Sequence, residues 1–406
     1  ITSVRNVLFN SGVLKSREFQ TKSISVGNIT VGGTGKSPHI EYLIRLLRAD
    51  KKLATLSRGY LRKTKGYLVA DEKSSYKDLG DEPMQFHSKF KDVTVVVDED
   101  RRNGMEKIEQ EINPDIILLD DCYQHRWVKP QLNILLIDYS TVGSKQFMLP
   151  SGELREWKSG VKRADAIVVT KSPELHSPIE HRRIKELIKP LRSQKTFFSY
   201  IDYKSITPFN ECANLLCNEG VMKLENFKTV VFAGIAKITP LVDYLKQTAK
   251  EVIVTEFSDH HNFEPVDIVR LTNTFKAIIS KDKILITTEK DATRLKDSRL
   301  FPLLEQFPVF YLPIEVKFHK GLEDEDTFDD SDEIKYGTNP RIADQDGDGL
   351  NDAEEKARFT NPFEQDTDGD ELNDGIDDNP IYNTIDKVQV IYPWNPSGAG
   401  YLKING

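Results

Sequence analysis

From residue 23 to about 200, short β-branched runs alternate with stretches that repeat apolar residues at helical spacing. Ser23–Val26, Leu53–Leu56, Val93–Val97, Asp115–Leu119, Asn133–Ile137 and Ala166–Thr170 read as strands. Amphipathic stretches near 38–50, 103–112 and 178–191 read as helices between some of them. This alternation predicts an α/β fold, a parallel sheet with helices on both faces. A smaller series follows: strands at Thr229–Phe232, Val252–Thr255 and Ile284–Thr287, with helices near 240–250 and 266–279. It predicts a second α/β domain. Phe197–Tyr203 and Val309–Phe318 are extended and predict a ribbon joining the two.

After about 331 the pattern changes. "GTNP" at 337–340 recurs as "FTNP" at 359–362, and "DQDGDGLND" at 344–352 recurs as "DTDGDELND" at 366–374, both displaced by 22 residues. This is an internal repeat. Charge divides at the same place. Residues 321–406 hold 23 acidic and 6 basic side chains, a net of −17, while residues 1–320 hold 41 and 50, a net of +9. The asymmetry predicts modules with different partners. No apolar run reaches the ~18 residues a membrane span needs. Cys122, Cys212 and Cys217 are scattered, with neither a disulfide framework nor zinc spacing. The first residue is Ile, so residues before it are expected.

The segment Gly27-Asn-Ile-Thr-Val-Gly-Gly-Thr-Gly-Lys-Ser37 lies between a strand and a helix, the context of a phosphate-binding loop. Glycines let successive amides face one anion, and the helix N-terminus adds its dipole. Gly32, Gly33, Thr34, Gly35, Lys36 and Ser37 are the candidates for nucleotide phosphate, with the Ser37 hydroxyl on Mg²⁺. Thr30 stands where the usual pattern has Gly, so the match is irregular.

Phosphoryl transfer also needs carboxylates for the metal, a positive charge for the transferring group and a base for the acceptor. "IILLDD" ends an apolar strand in Asp120 and Asp121, which read either as metal ligands or as a strand terminator. Arg155 and Glu156 in "LPSGELRE" read as transition-state and metal-shell groups or as a solvated pair. Asp81 and Glu82 in "GDEP" sit on a turn, where acids usually serve as turn formers. Adjacent histidines in "SDHHNF" offer a general base with Asp259, or a metal pair lacking a third ligand.

In order along the chain, "RNVLFNSGVLKS", "ISVGNITVGGTGKSPH", "LSRGY" (56–60), "GDEP" (80–83), "DDCYQH" (120–125), "LPSGELRE" (149–156), "DHH" (259–261) and "TTEKDATRL" (287–295) resemble the tetraacyldisaccharide 4′-kinases over about residues 3–325. The resemblance implies ATP-dependent phosphorylation of the 4′-hydroxyl of a lipid A disaccharide 1-phosphate. It implies a P-loop NTPase-like sheet and a smaller α/β/α domain joined by a two-stranded linker, with the site in the cleft. It implies Lys36 and Ser37 on phosphate and Mg²⁺, and Asp120, Asp121, Gln124 and Glu156 around the metal. It further implies that Arg155 acts with Lys36 on the transition state and that Asp81 is the base, partnered by His260 rather than His261. Cys122 and Tyr123 replace the family's usual Gly-Phe, for which local repacking is expected. The family's N-terminal hydrophobic helix is not among these residues. A peripheral contact of the +9 module with an anionic inner-membrane surface is therefore expected, at the cytoplasmic face, with no nucleic-acid partner and a monomeric state.

In the tail, "DQDGDGLNDAEE" fits a calcium loop with ligands at positions 1, 3, 5, 7, 9 and 12. These are Asp344, Asp346, Asp348, the Leu350 carbonyl, Asp352 and Glu355, with Gly349 at the sharp bend. The second copy offers Asp366, Asp368, Asp370, the Leu372 carbonyl, Asp374 and Asp377, with Glu371 at the bend. The segment resembles thrombospondin type 3 calcium repeats, which implies bound Ca²⁺ and a secreted or surface setting. The expected organisation is a kinase domain (1–200), a second domain with linker strands (201–325), repeats (331–380) and a tail (381–406). The two modules point to different compartments, so a fusion junction, natural or artefactual, is expected near 326–336. A switching P-loop NTPase and a calcium-dependent adhesive protein are the alternatives.

Overall fold

Strands buried on both faces need apolar side chains at every position, and this is why the runs carry so little alternation. The computed structural model describes residues 2–174, 178–218, 223–259, 261–296, 299–319, 338, 344–377, 379–383 and 390–391. It divides into two compact units, Ile1–Phe318 and His319–Gly406.

The first unit opens with β1 (Lys22–Asn28), β2 (Leu53–Ser57), β3 (Leu68–Val69), β4 (Thr94–Val97), β5 (Ile116–Asp120), β6 (Leu132–Asp138), β7 (Ala166–Thr170) and β8 (Lys195–Tyr203). There follow β9 (Thr207–Pro208), β10 (Lys228–Ala233), β11 (Glu251–Glu256), β12 (Lys283–Thr288), β13 (Val309–Leu312) and β14 (Ile314–Phe318). They form a nine-stranded sheet, ordered β14-β8-β7-β6-β1-β5-β2-β4-β3, and a five-stranded sheet, ordered β11-β10-β12-β13-β9. Within the larger sheet β8, β7, β6, β1, β5, β2 and β4 run parallel. The edges β3 and β14 pair antiparallel with their neighbours.

The stretch 309–318 is extended throughout but serves both sheets. Pro313 lacks an amide for the ladder. On one side of it β13 pairs with β12, and on the other β14 pairs with β8. The 103–112 stretch is an α-helix, Arg101–Lys107, running into a π-turn, Ile108–Ile112.

"GDEP" corrects the sequence reading: it is a helix start rather than a free turn. Gly80 takes φ +92, and the helix Asp81–Lys89 begins directly after it, with Pro83 in its first turn.

One core packs Val26, Ile40, Ile44, Leu118 and Leu136 beneath the helix Lys36–Leu47. The other face buries Leu56, Met105, Ile117 and Leu119. Ile40 is fully buried, so its truncation to Ala costs about 2–5 kcal/mol. The smaller sheet is likewise covered on both faces, by clusters around Phe232 and Leu285 and around Val231 and Ile286. In the second unit, the helix Asp352–Arg358 carries a capping box between Asn351 and Glu354.

Candidate active site

In an open parallel sheet, ligands bind outside the carboxyl ends of the strands. β1 delivers the glycine loop there. Gly32 and Gly35 take φ +101 and +87, conformations in which a Cβ is disfavoured, and Gly32 and Gly33 are exposed. The loop is braced from below. Asn28 donates to the Thr34 hydroxyl at 2.8 Å, and the Thr170 hydroxyl at the end of β7 donates to the Thr34 carbonyl at 2.9 Å. The Lys171 ammonium donates to the Gly33 carbonyl and pairs with Asp138 at 2.9 Å. His39 bridges the Gly35 carbonyl at 2.7 Å and Ser199 at 3.0 Å, and burial drives its imidazole down to about 4.

β5 is the neighbour of β1 and ends beside the loop. Lys36 lies 3.7 Å from Asp121, and Arg155 bonds the same carboxylate at 2.9 Å. Burial works to raise Asp121, but Lys36 and Arg155 outweigh it and hold the carboxyl below its usual range. Asp120 is the opposite case. Burial, then the charges of Glu82 and Asp121, push it up to about 7. Its Oδ1 is buried without a hydrogen-bond partner among the described residues. A buried orphaned carboxylate oxygen beside an exposed glycine loop fits a divalent cation.

Arg155 arrives by local pairing. The Val31 amide donates to the Glu153 carbonyl at 2.7 Å and the Arg155 amide to the Ile29 carbonyl at 2.8 Å, laying "GELRE" against the phosphate loop. Glu156 is almost fully buried and engaged by Arg163 at 2.8 Å, Gln124 at 3.0 Å and Asn6 at 3.1 Å. Gln124 also donates to the Asn28 carbonyl at 2.6 Å. Gln124 and Glu156 thus join the loop through a hydrogen-bonded shell, while Asp121, Lys36 and Arg155 form the charged face. At the replaced positions, Cys122 is buried and Tyr123 donates from its hydroxyl to the Gly160 carbonyl at 2.6 Å.

Asp81 opens its helix and pairs with Arg294 of the helix Glu289–Leu295, which follows β12 in the smaller sheet. Lys290 lies 3.8 Å from Glu82, and Lys89 joins Glu41 and Glu289 at 2.8 Å each. His260 lies outside the described residues. His261 bonds Asp267 at 2.8 Å, at the N-terminus of the helix Pro265–Ala277.

Sequence reasoning left Arg294, Arg163, Thr170 and Lys171 without roles. Arg294 and Asp291 fall three apart within "TTEKDATRL", one helix face, which was an available signal. Lys171 and Thr170 meet the phosphate loop across more than 130 residues, and no local pattern marks such a pairing.

In the second unit, carboxylate oxygens of Asp344, Asp346 and Asp348 lie within 4.8 Å of one another, as do those of Asp366, Asp368 and Asp370. Burial, then the charge of Asp348, pushes Asp346 up to about 6. Burial, then Asp346, pushes Glu355 up to about 9. Asp346 Oδ2 and Glu355 Oε2 are buried without hydrogen-bond partners among the described residues. Asp352 and Asp374 are buried and accept from the Gln345 amide at 2.9 Å and the Thr367 amide at 2.8 Å, matching positions in the two copies. Gly349 takes φ +104 and Glu371 φ +74, so the second copy makes the same bend without glycine. Leu350 is buried, Leu372 is exposed, and Asp377 is half-buried.

The family described as Tetraacyldisaccharide-1-P 4′-kinase matches residues 1–329. The chain is 45% identical over 319 residues to the tetraacyldisaccharide 4′-kinase of Flavobacterium johnsoniae, covering 78% of this chain and 89% of that protein. It is 42% identical over 318 residues to the enzyme of the same name from Parabacteroides distasonis, covering 77% and 86%. Among solved structures, LpxK from Aquifex aeolicus in complex with ATP matches with a TM-score of 0.58 at 28% identity, over 79% of this chain and 91% of that one. With the phosphate loop, the Asp120-Asp121 strand end and the Arg155 segment assembled around one site, the chain belongs to the tetraacyldisaccharide 4′-kinase family.

Proposed function

We infer that the chain transfers the γ-phosphoryl group of ATP to the 4′-hydroxyl of a tetraacyldisaccharide 1-phosphate, a step of lipid A biosynthesis. The observation that carries this reading is the convergence of Lys36, Asp121 and Arg155 at the mouth of the glycine loop. The loop amides and Lys36 hold the outer phosphates. Lys36 and Arg155 face the charge that builds on the transferring group, where a fixed donor is worth about 10²–10³ in rate. Asp81 takes the proton of the acceptor hydroxyl as the new O–P bond forms and the bond to the β-phosphate oxygen breaks, with His260 as its partner. Magnesium, held by Ser37, Asp120 and Asp121 within the shell of Gln124 and Glu156, would supply charge neutralisation on the phosphates. The enzyme works as a monomer at the cytoplasmic face of the inner membrane, where its +9 module meets anionic lipid.

The test is labelled ATP with tetraacyldisaccharide 1-phosphate in detergent. Label on the lipid is the expected result. ATP hydrolysis by folded protein with no label on the lipid would favour a switching NTPase instead.

A second reading concerns the repeats. The orphaned buried oxygens of Asp346 and Glu355 favour cation binding over a solvated acidic tail. Ca²⁺ would take Asp344, Asp346, Asp348, the Leu350 carbonyl, Asp352 and Glu355 in the first loop. In the second it would take Asp366, Asp368, Asp370, the Leu372 carbonyl, Asp374 and Asp377. Titration calorimetry with CaCl₂ tests this, and no heat from chelator-stripped protein would remove it.

A further inference from the structure

The role of Asp81 as base requires its carboxylate to be held in place. Asp81 is the first residue after Gly80, whose φ of +92 admits no ordinary side chain. What meets it comes from the smaller sheet, 213 residues along the chain. Arg294 is 3% exposed, and its guanidinium bonds Asp81 at one nitrogen. The other terminal nitrogen donates to Asp291 at 3.0 Å and to the His261 carbonyl at 3.3 Å. Asp291 is fully buried and pinned in turn. It accepts from the Gly234 amide at 3.0 Å, just beyond β10, and from the Thr288 hydroxyl at 2.8 Å, at the end of β12.

A rigid line therefore runs from the carboxyl ends of β10 and β12 through Asp291 and Arg294 to Asp81. We propose that Arg294 is a positioning residue for phosphoryl transfer: it ties the Asp81 carboxylate to the smaller sheet and aims it at the acceptor hydroxyl. The proposal rests on the reading of Asp81 as the base. The physical reason is the rigid planar guanidinium: with one terminal nitrogen fixed on buried Asp291, the direction of the other, which donates to Asp81, is fixed too. A lysine at the same place would keep the charge and lose the direction. Misplacing a reacting group by about 1 Å costs on the order of 10²-fold in rate. Two neighbouring links, Lys290 to Glu82 and Lys89 to Glu289, dock the same helix against the smaller sheet's helix.

The experiment measures kcat and KM for ATP with tetraacyldisaccharide 1-phosphate in detergent for Arg294→Lys, Asp81→Asn and the double variant, with melting curves for each. Arg294→Lys is chosen because removing the charge would strand the buried Asp291 carboxylate and the partly buried Asp81, and threaten folding. Expected is a fall in kcat of roughly 10- to 100-fold for Arg294→Lys with KM for ATP unchanged. In the double variant, turnover should equal that of Asp81→Asn alone, because a positioning residue has nothing left to position. Wild-type kcat in Arg294→Lys beside a slow Asp81→Asn overturns the proposal and spares the base. Losses that multiply in the double variant also overturn it, since Arg294 would then act independently of Asp81. Undiminished turnover in Asp81→Asn sinks the base reading, and this proposal with it.

Discussion

The molecule gathers carboxylates in two kinds of place and answers their charge in opposite ways. At the end of β5, Asp121 is met by Lys36 and Arg155, supplied from the phosphate loop and from the segment paired against it. In the repeat loops, Asp346 and Glu355 bury oxygens that no described cation or donor meets. The difference is the one the two proposed ligands, a nucleotide phosphate and Ca²⁺, would require. A site for an anionic phosphate must carry cations of its own, and these hold its acid down. A site for a metal ion leaves its carboxylates uncompensated until the ion arrives. Asp120, raised to about 7 with one oxygen orphaned, is the point where the first region adopts the logic of the second.

The strongest way to break this comparison is to remove the cation. Lys36→Ala should lower kcat by about 10³-fold, roughly 4 kcal/mol of transition-state stabilisation. Unimpaired phosphorylation of the lipid would show that Lys36 answers Asp121 and nothing else. Next comes the ion itself. Calcium at 100 times its dissociation constant should stabilise the repeats by about 2.7 kcal/mol. Chelation should unfold 344–377, seen by circular dichroism, without changing the kinase rate, and a coupled loss of both would end the two-module view.

A paired substitution tests the sign directly. Asp121→Asn strands two cations and should destabilise the first unit by about 1 kcal/mol, whereas Glu355→Gln in calcium-free protein removes an acid whose charge is opposed by burial and by its acidic neighbours, and should stabilise the second by a similar amount. Thermal melts of both variants check this, and shifts of the same sign would refute the contrast. The smallest effect separates the two loops. Glu371→Gly relieves a left-handed side-chain residue at the bend and should raise calcium-bound stability by about 0.5–1 kcal/mol, read by the same melts.

Much of the fold was legible because its signals are local. Ala166–Thr170 is a strand at the boundaries its apolar run predicts; Val93–Val97 loses its first residue, Asp115–Leu119 shifts by one to Ile116–Asp120, and Ser23–Val26, Leu53–Leu56 and Asn133–Ile137 gain one or two residues at their ends. The helix at Asp81 was less legible, because Gly-Asp-Glu-Pro serves a turn and a helix start equally well. The Val309–Phe318 stretch was read as one ribbon strand, and only the break at Pro313 assigns its halves to different sheets.

What the sequence determined by itself is what neighbouring residues can encode: strand and helix periods, the glycine loop between β1 and its helix, and the doubled acidic motif with its 22-residue offset. Those depend on backbone freedom and side-chain spacing within a few turns of chain. The tertiary structure alone decided which charge meets which. Lys171 on the Gly33 carbonyl and Arg294 on Asp81 are contacts across 138 and 213 residues. An exposed Arg and a buried one look alike in a sequence. Only the packing of one sheet's helix against the other's turns such a residue into a fixed partner for one carboxylate.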